Sequence, residues 1–204
     1  AATEVETSPG FDWARHVPDP RAGMVITEHA CHQILREAGL AVAPGRLATS
    51  RDEAGQIALA LGLPVAMKGI SEAVTHRAAA GLVALDLRRV EEVHAAFTRM
   101  STIAAQTGIS LDGFYVQKMM FGQAEILVSA FRDPVFGPMV SCGAGGVLAE
   151  LLDDLTISPA PVDRTQALAM IDRLRLATSL AKLNPPPDPA LLAEFIARLS
   201  RVAC

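Results

Sequence analysis

The stretch Phe114–Glu150, FYVQKMMFGQAEILVSAFRDPVFGPMVSCGAGGVLAE, decides how this chain is read. Two apolar runs rich in strand formers, Phe114–Met120 and Glu125–Phe131, flank a short Phe121-Gly122 turn. A third run, Pro138–Cys142, breaks into Gly143-Ala144-Gly145-Gly146 and resumes over Val147–Leu152. Aromatic and β-branched residues bounded by Gly and Pro mark consecutive strands. Polar residues stand among them at Gln117, Lys118, Glu125, Asp133 and Glu150. By itself this pattern describes a sheet with solvated edges and a flexible glycine turn.

Upstream, Thr27 caps a helix expected through Ala38. Ile26 and Cys31 are placed as a hydrophobic staple, and Gly39 follows as the stop. Ser50 and Glu53 have capping-box spacing before a helix ending at Gly62. Leu63–Lys68 then reads as a buried strand whose last residue is a lysine. A buried ammonium needs a partner, unless its stem snorkels the charge to solvent at the strand's edge. Residues 71–80 are small and polar, the composition of a mobile loop, and Gly81–Leu87 alternates like a strand. Val90–Gln106 is amphipathic, with Val93, Ala96, Phe97, Met100, Ile103 and Ala104 on one face and His94 among the exposed positions.

Downstream, Asp153-Asp154 and Ser158–Pro161 read as loop. Asp163 and Gln166 cap a helix through about Ala177, and Asp188-Pro189 opens a last helix with Leu192, Phe195, Ile196, Leu199 and Val202 on one face. Residues 1–23, with Pro9, Gly10, Pro18, Pro20 and Gly23, read as an arm or linker in which Trp13 has no assigned dock. Opening on Ala1 rather than Met, the sequence is expected to be a processed chain or a piece of a larger protein.

The 204 residues suffice for one sizeable domain or two small lobes, and half of them are hydrophobic. A net charge of −4 carries no electrostatic footprint for nucleic acid. Three cysteines far apart fit neither a disulfide framework nor a metal cluster and suit a reducing cytoplasm. No apolar run has membrane-spanning length, and no export signal is legible.

Gly122-x-x-Glu125, then Arg132-Asp133-Pro134-x-Phe136-Gly137-Pro138, then Gly143-x-Gly145-Gly146-x-x-x-Glu150, resembles the ATP-grasp domain of ADP-forming acyl-CoA synthetases. The resemblance starts near Ile26 and continues to Cys204. It implies an α/β protein of two α+β lobes with the ATP-grasp fold. The nucleotide-binding lobe would span about 24–115 and the second lobe about 116–204, without the fold's last C-terminal strands. It further implies ATP or ADP with Mg²⁺ as ligands, and partner domains that bind CoA and carry the ligase site.

By the same resemblance Lys68 neutralises nucleotide phosphates, and Gln117, Lys118, Met119 and Met120 form a hinge meeting the adenine edge. Glu125 orients ribose or metal, and His76 relays a phosphoryl group. A neutral imidazole is a competent nucleophile toward phosphorus. The metal ligands stay unassigned, since the family's Asp and Asn ligands lie on strands that have no counterpart here. His32 stands where the family carries Lys and is read as a surface residue. The family's Ser-Asp and one of its glycines in the histidine loop are here Ala78-Ala79 and Leu82. Those departures leave a non-catalytic binding or regulatory module as the alternative function.

Overall fold

Two buried strands, Val65–Ile70 and Gly113–Lys118, pair antiparallel and place successive side chains on opposite faces of one sheet. The structure is a computed structural model, and it describes residues 11–21, 24–74, 77–146, 149 and 153–204. Described residues of Pro20–Arg36 and Val42–Phe121 form one compact unit. Those of Ala1–Asp19, Glu37–Ala41 and Gly122–Cys204 form another.

In the first unit β1 (Gly45–Ala48), β2 (Val65–Ile70), β3 (Val83–Leu87) and β4 (Gly113–Lys118) make an antiparallel sheet of order β1-β4-β2-β3. Helices α3 (Arg51–Leu61) and α4 (Val90–Thr107) cover one face. Val65 and Met67 of β2 with Phe114 and Val116 of β4 pack there against Ala54, Ala58, Val93 and Met100. Each fully buried Val, Leu or Met side chain is worth about 1.5–3 kcal/mol. The other residues of the two strands, Lys68, Tyr115 and Gln117 among them, are left for the opposite face. There lies α2 (Glu28–Glu37), whose His29 and His32 rings contact the Tyr115 ring.

The caps follow the sequence, with one change of partner. Thr27 Oγ1 accepts from Ala30 N at 3.5 Å, and Gly39 beyond α2 takes φ +74°. Ser50 Oγ accepts from Glu53 N at 3.2 Å, but the Glu53 carboxylate turns to Thr49, at 2.7 Å from N and 2.9 Å from Oγ1, instead of closing the box on Ser50. His94, expected at an exposed position, lies half-buried against α3. A Cβ at Gly55 would stand 2.5 Å from its Nε2.

In the second unit β5 (Ile126–Asp133), β6 (Gly137–Ala144) and β7 (Leu155–Pro159) form an antiparallel sheet in chain order. Val140, Cys142 and Ala144 pack on α5 (Arg164–Asp172) and α7 (Pro189–Val202) through Ala167, Met170, Ala193 and Ile196. Burial, with the Asp154 charge behind it, pushes the Cys142 thiol up to about 11, which keeps it protonated and inert. Trp13, in the short α1 (Trp13–His16), donates Nε1–H to Val202 O at 2.7 Å, so the arm's tryptophan does dock. Among the described residues no helix is long and apolar enough to cross a membrane.

Two expectations change. Ser158 and Pro159, read as loop, end strand β7, whose Leu-Thr-Ile-Ser alternation is too short to stand out. The helix expected to run to Ala177 stops at Asp172, and α6 (Arg175–Leu180) starts afresh. Asp154 is the reason: its carboxylate accepts from Arg175 N at 2.9 Å and Leu176 N at 2.8 Å, capping the new helix from a distant loop. Apart from Ala149, the run Val147–Leu152, including Glu150, lies outside the described residues.

Asp154→Ala should therefore lower stability on the order of 1–2 kcal/mol, the usual cost of a lost cap. Urea denaturation checks this, with Asp153→Ala as the neighbour expected to cost less.

Candidate functional site

The face of the first sheet turned toward α2 carries Lys68, Tyr115 and Gln117. Lys68 lies opposite Tyr115 in register, and Ala66 opposite Gln117. The Lys68 and Gln117 side chains thus meet on the diagonal, with Nζ donating to Gln117 Oε1 at 3.2 Å. Glu28, in the first turn of α2, places Oε1 2.5 Å from Lys68 Nζ and Oε2 2.7 Å from Arg77 Nη2. All three charged groups are largely enclosed, with side-chain exposures of 16% for Glu28 and 24% for each cation. The strand expected to end at Lys68 runs on to Ile70, and the ammonium in its interior has its partners and does not snorkel to bulk water.

A second chain of contacts fixes the carboxylate's other side. Arg36 Nη2 donates to the Tyr115 hydroxyl at 3.2 Å, and arginine has no acceptor. The hydroxyl hydrogen is therefore free to be donated to His32 Nδ1, 3.0 Å away, and in that tautomer the ring carries its own proton on Nε2. Nε2 faces Glu28 Oε1 at 3.9 Å. His32, read from the sequence as a surface residue, is 14% exposed and part of this cluster. Its helical spacing of four from Glu28 was the signal available. The partner that makes it matter, Tyr115, is 83 residues away.

Burial is the largest influence on the Glu28 carboxyl and raises it. The Lys68 hydrogen bond and charge, then Arg77 and His32, together outweigh burial and hold it below the ordinary carboxylate range. Burial also leads at His32 and lowers the imidazole. Glu28 opposes this, and Arg36, Lys68 and His29 add to the lowering. At neutral pH the cluster thus holds an ionised carboxylate, a neutral imidazole, one ammonium and guanidinium groups. Its net charge is positive, which suits a multiply charged anion.

The other residues named from the sequence fall elsewhere. Lys118, one step along β4 from Gln117, points to the opposite face, where Nζ donates to Leu61 O at 3.1 Å and Gly62 O at 3.3 Å. Its ammonium thereby caps the C-terminus of α3, a favourable place for a cation. Met119 N donates to Pro64 O at 3.1 Å, and the Met120 side chain is exposed. Glu125 belongs to the second unit, where its carbonyl accepts from Gly145 N at 2.8 Å. A Cβ on Gly145 would stand 2.9 Å from the Glu125 carbonyl, and one on Gly146, at φ +57°, would collide with the Glu125 carboxylate. The glycine pair is thus a seat for Glu125 and not simply a flexible turn. His76 lies outside the described residues. Leu82, where the resemblance expects glycine, is wholly buried, and Gly69 N donates to its carbonyl at 2.8 Å. Its side chain closes the core at the loop's far end.

An ATP-grasp domain matches residues 20–204, so the chain belongs to the ATP-grasp family. It corresponds to the ATP-grasp portion of ADP-forming acyl-CoA synthetases. It is 30% identical over 182 residues to the beta subunit of an ADP-forming acetate–CoA ligase of Pyrococcus furiosus, covering 87% of this chain and 78% of that subunit. A trans-feruloyl-CoA synthase of an unknown prokaryotic organism is 35% identical over 87% of this chain and 26% of its own length. The chain spans about a quarter of the length of the first curated relatives it matches. A dinucleotide-forming acetyl-coenzyme A synthetase of Ca. Korarchaeum cryptofilum, solved with coenzyme A and Ca-AMPCP, superposes with a TM-score of 0.82 at 29% identity. That match covers 87% of this chain and 80% of that one. A further structure of that synthetase holds Mg-AMPPCP with its phosphohistidine segment pointing towards the nucleotide binding site.

The shifts at His32 and Glu28 have a common sign. A folded-state pKa below the unfolded one means that the unfolded chain binds protons first, so stability is complete above the unfolded value and lost as pH falls through the folded one. Stability should therefore fall as pH drops below about 6.5, the ordinary histidine value, and again below the carboxylate range. Urea unfolding across a pH series should show this loss, and His32→Gln should flatten its upper part. An unchanged profile in the variant would assign the slope to other groups.

Proposed function

We propose that the chain binds ATP or ADP and takes part in ATP-dependent formation of an acyl-CoA thioester from a carboxylic acid and CoA. The observation that supports this reading is the enclosed cationic cluster. Lys68 and Arg77 stand on one carboxylate, with Gln117 beside Lys68, at the position where the family reading puts phosphate. Lys68 and Arg77 would take phosphate oxygens through charge-assisted hydrogen bonds. Gln117 to Met120 would meet the adenine edge with backbone groups and one amide, and Glu125 would orient ribose or metal.

Mg²⁺ fits as a companion of the nucleotide's own phosphates. Among the described residues no group of three His, Cys, Asp or Glu side chains rings a metal position. Magnesium commonly binds through one or two carboxylates plus phosphate. The metal would neutralise phosphate charge, and the protein's part is to hold the phosphates through Lys68 and Arg77.

In this reading His76 relays the phosphoryl group. A ring nitrogen attacks the γ-phosphorus, the bond to the β,γ-bridging oxygen breaks, and ADP leaves. The phosphoimidazole then hands the group to the ligase site of partner domains, which also bind CoA. Those domains belong to the same longer chain or to a second subunit. One observation favours the second reading, a non-catalytic binding module: Leu82 serves the hydrophobic core at a position where the resemblance expects glycine near phosphate.

Calorimetry with ATP and ADP tests the site. Lys68→Ala should weaken binding by about 1.5–3 kcal/mol, the worth of a hydrogen bond to a charged group. Equal affinity of native chain and variant removes Lys68 from the site. Labelling tests the relay: with ATP, Mg²⁺ and the partner domains supplied, an acid-labile phosphate should form and disappear in His76→Ala. Nucleotide binding without label would leave the module reading standing.

A further inference from the structure

The Glu28 carboxylate sits where the proposed phosphate ligand needs cations. Its two oxygens are divided between Lys68, at 2.5 Å, and Arg77, at 2.7 Å. The ionic partners of Lys68 and Arg77 within the described cluster converge on this one carboxylate. Phosphate oxygens approaching either cation closely come near a carboxylate that is itself largely withdrawn from water. Two like charges at such range repel far more strongly than they would in bulk water.

The geometry points to Glu28 as an internal competitor for the polyphosphate: it occupies Lys68 and Arg77, and a polyphosphate binds by displacing it from at least one of them. This rests on the reading of Lys68 as a phosphate ligand. Three features make displacement workable. Glu28 lies in the first turn of α2, so its side chain can swing without breaking the ladder of the helix. Lys68 keeps Gln117 Oε1 at 3.2 Å as a second partner, so its ammonium stays in place when the carboxylate leaves. His32, with Nε2 at 3.9 Å from Oε1, offers the departing carboxylate another donor. The arrangement also selects: a monoanion gains little over the carboxylate it replaces, whereas a di- or triphosphate brings several charges to the same two cations. Glu28 would thus set both the affinity and the preference for polyphosphate.

The probes are ATP and inorganic tripolyphosphate, titrated calorimetrically at low salt into the native chain, Glu28→Gln and Lys68→Ala. Glu28→Gln keeps an acceptor for Lys68 but removes the charge, and should bind tripolyphosphate at least about tenfold tighter, or 1.4 kcal/mol. Equal or weaker binding by Glu28→Gln overturns the proposal and makes Glu28 a positioning residue for the cations. If that result comes with ATP binding lost in Lys68→Ala, the nucleotide reading stands and only the competitor role falls. If tripolyphosphate binding tightens in Glu28→Gln while ATP binds no variant, the competitor role stands and the nucleotide reading falls. Absence of tripolyphosphate binding to both native chain and Glu28→Gln overturns the proposal.

A measurement on native protein guards against a variant that fails to fold. Carboxyl ¹³C titration of Glu28 should show its pKa rising when tripolyphosphate saturates the chain, because the displaced carboxylate loses its cations. An unchanged Glu28 titration at saturation sinks the proposal independently.

Discussion

One carboxylate holds two cations beneath the opening turn of a helix, and the first unit's polar face is arranged around that fact. An ammonium within an otherwise apolar strand is costly unless paired, and removing one partner of a buried pair leaves the other charge stranded. Glu28 satisfies Lys68 and Arg77 together, while Tyr115 relays the position of Arg36 to His32 on the carboxylate's other side. Packing supports the arrangement from below. The Tyr115 ring is wholly buried, and a Cβ at Gly45 would lie 2.6 Å from it, so β1 can pass only with glycine there. The charged cluster is therefore held by a rigid sheet, which is what a site for a polyphosphate requires.

The second unit depends on a different kind of contact, in which carboxylates organise backbone. Asp154 takes the first amides of α6 and so divides what would be one helix into two. Asp133 accepts from Val135 N at 2.8 Å and Phe136 N at 2.9 Å, which folds the β5–β6 turn and leaves Gly137 at φ +78°. Glu125 lies over Gly145 and Gly146. Acidic residues that look alike in the sequence thus divide into helix cap, turn former and occupant of a glycine seat. Which task each performs depends on what backbone it reaches.

Much of the fold is legible in the residues because local signals agree with one another. The Asp163–Gln166 box, the Asp188-Pro189 start and the Gly62 stop all lie where short-range chemistry puts them. The misreadings have one cause. The strand character of 155–159 and the break after Asp172 are each decided by a partner distant in the chain. Turn residues between apolar runs predict a reversal of direction, but they do not say which strand will lie alongside.

The sequence by itself determined the class of protein, through glycine, proline and acidic spacings between residues 122 and 150, and it singled out Lys68 and Gln117. Only the tertiary structure decided which polar residues share a face. Gln117 and Lys118 are neighbours of equal polarity, yet strand alternation sends one to Lys68 and the other to the end of α3. His32 reads as a surface residue, and nothing in the sequence singles out Glu28, until the helix is laid on the sheet. Strand register and helix docking are fixed by burial of the apolar faces, a property of the whole unit. The site is a consequence of that packing, which is why its central carboxylate could not be read from its own neighbourhood in the chain.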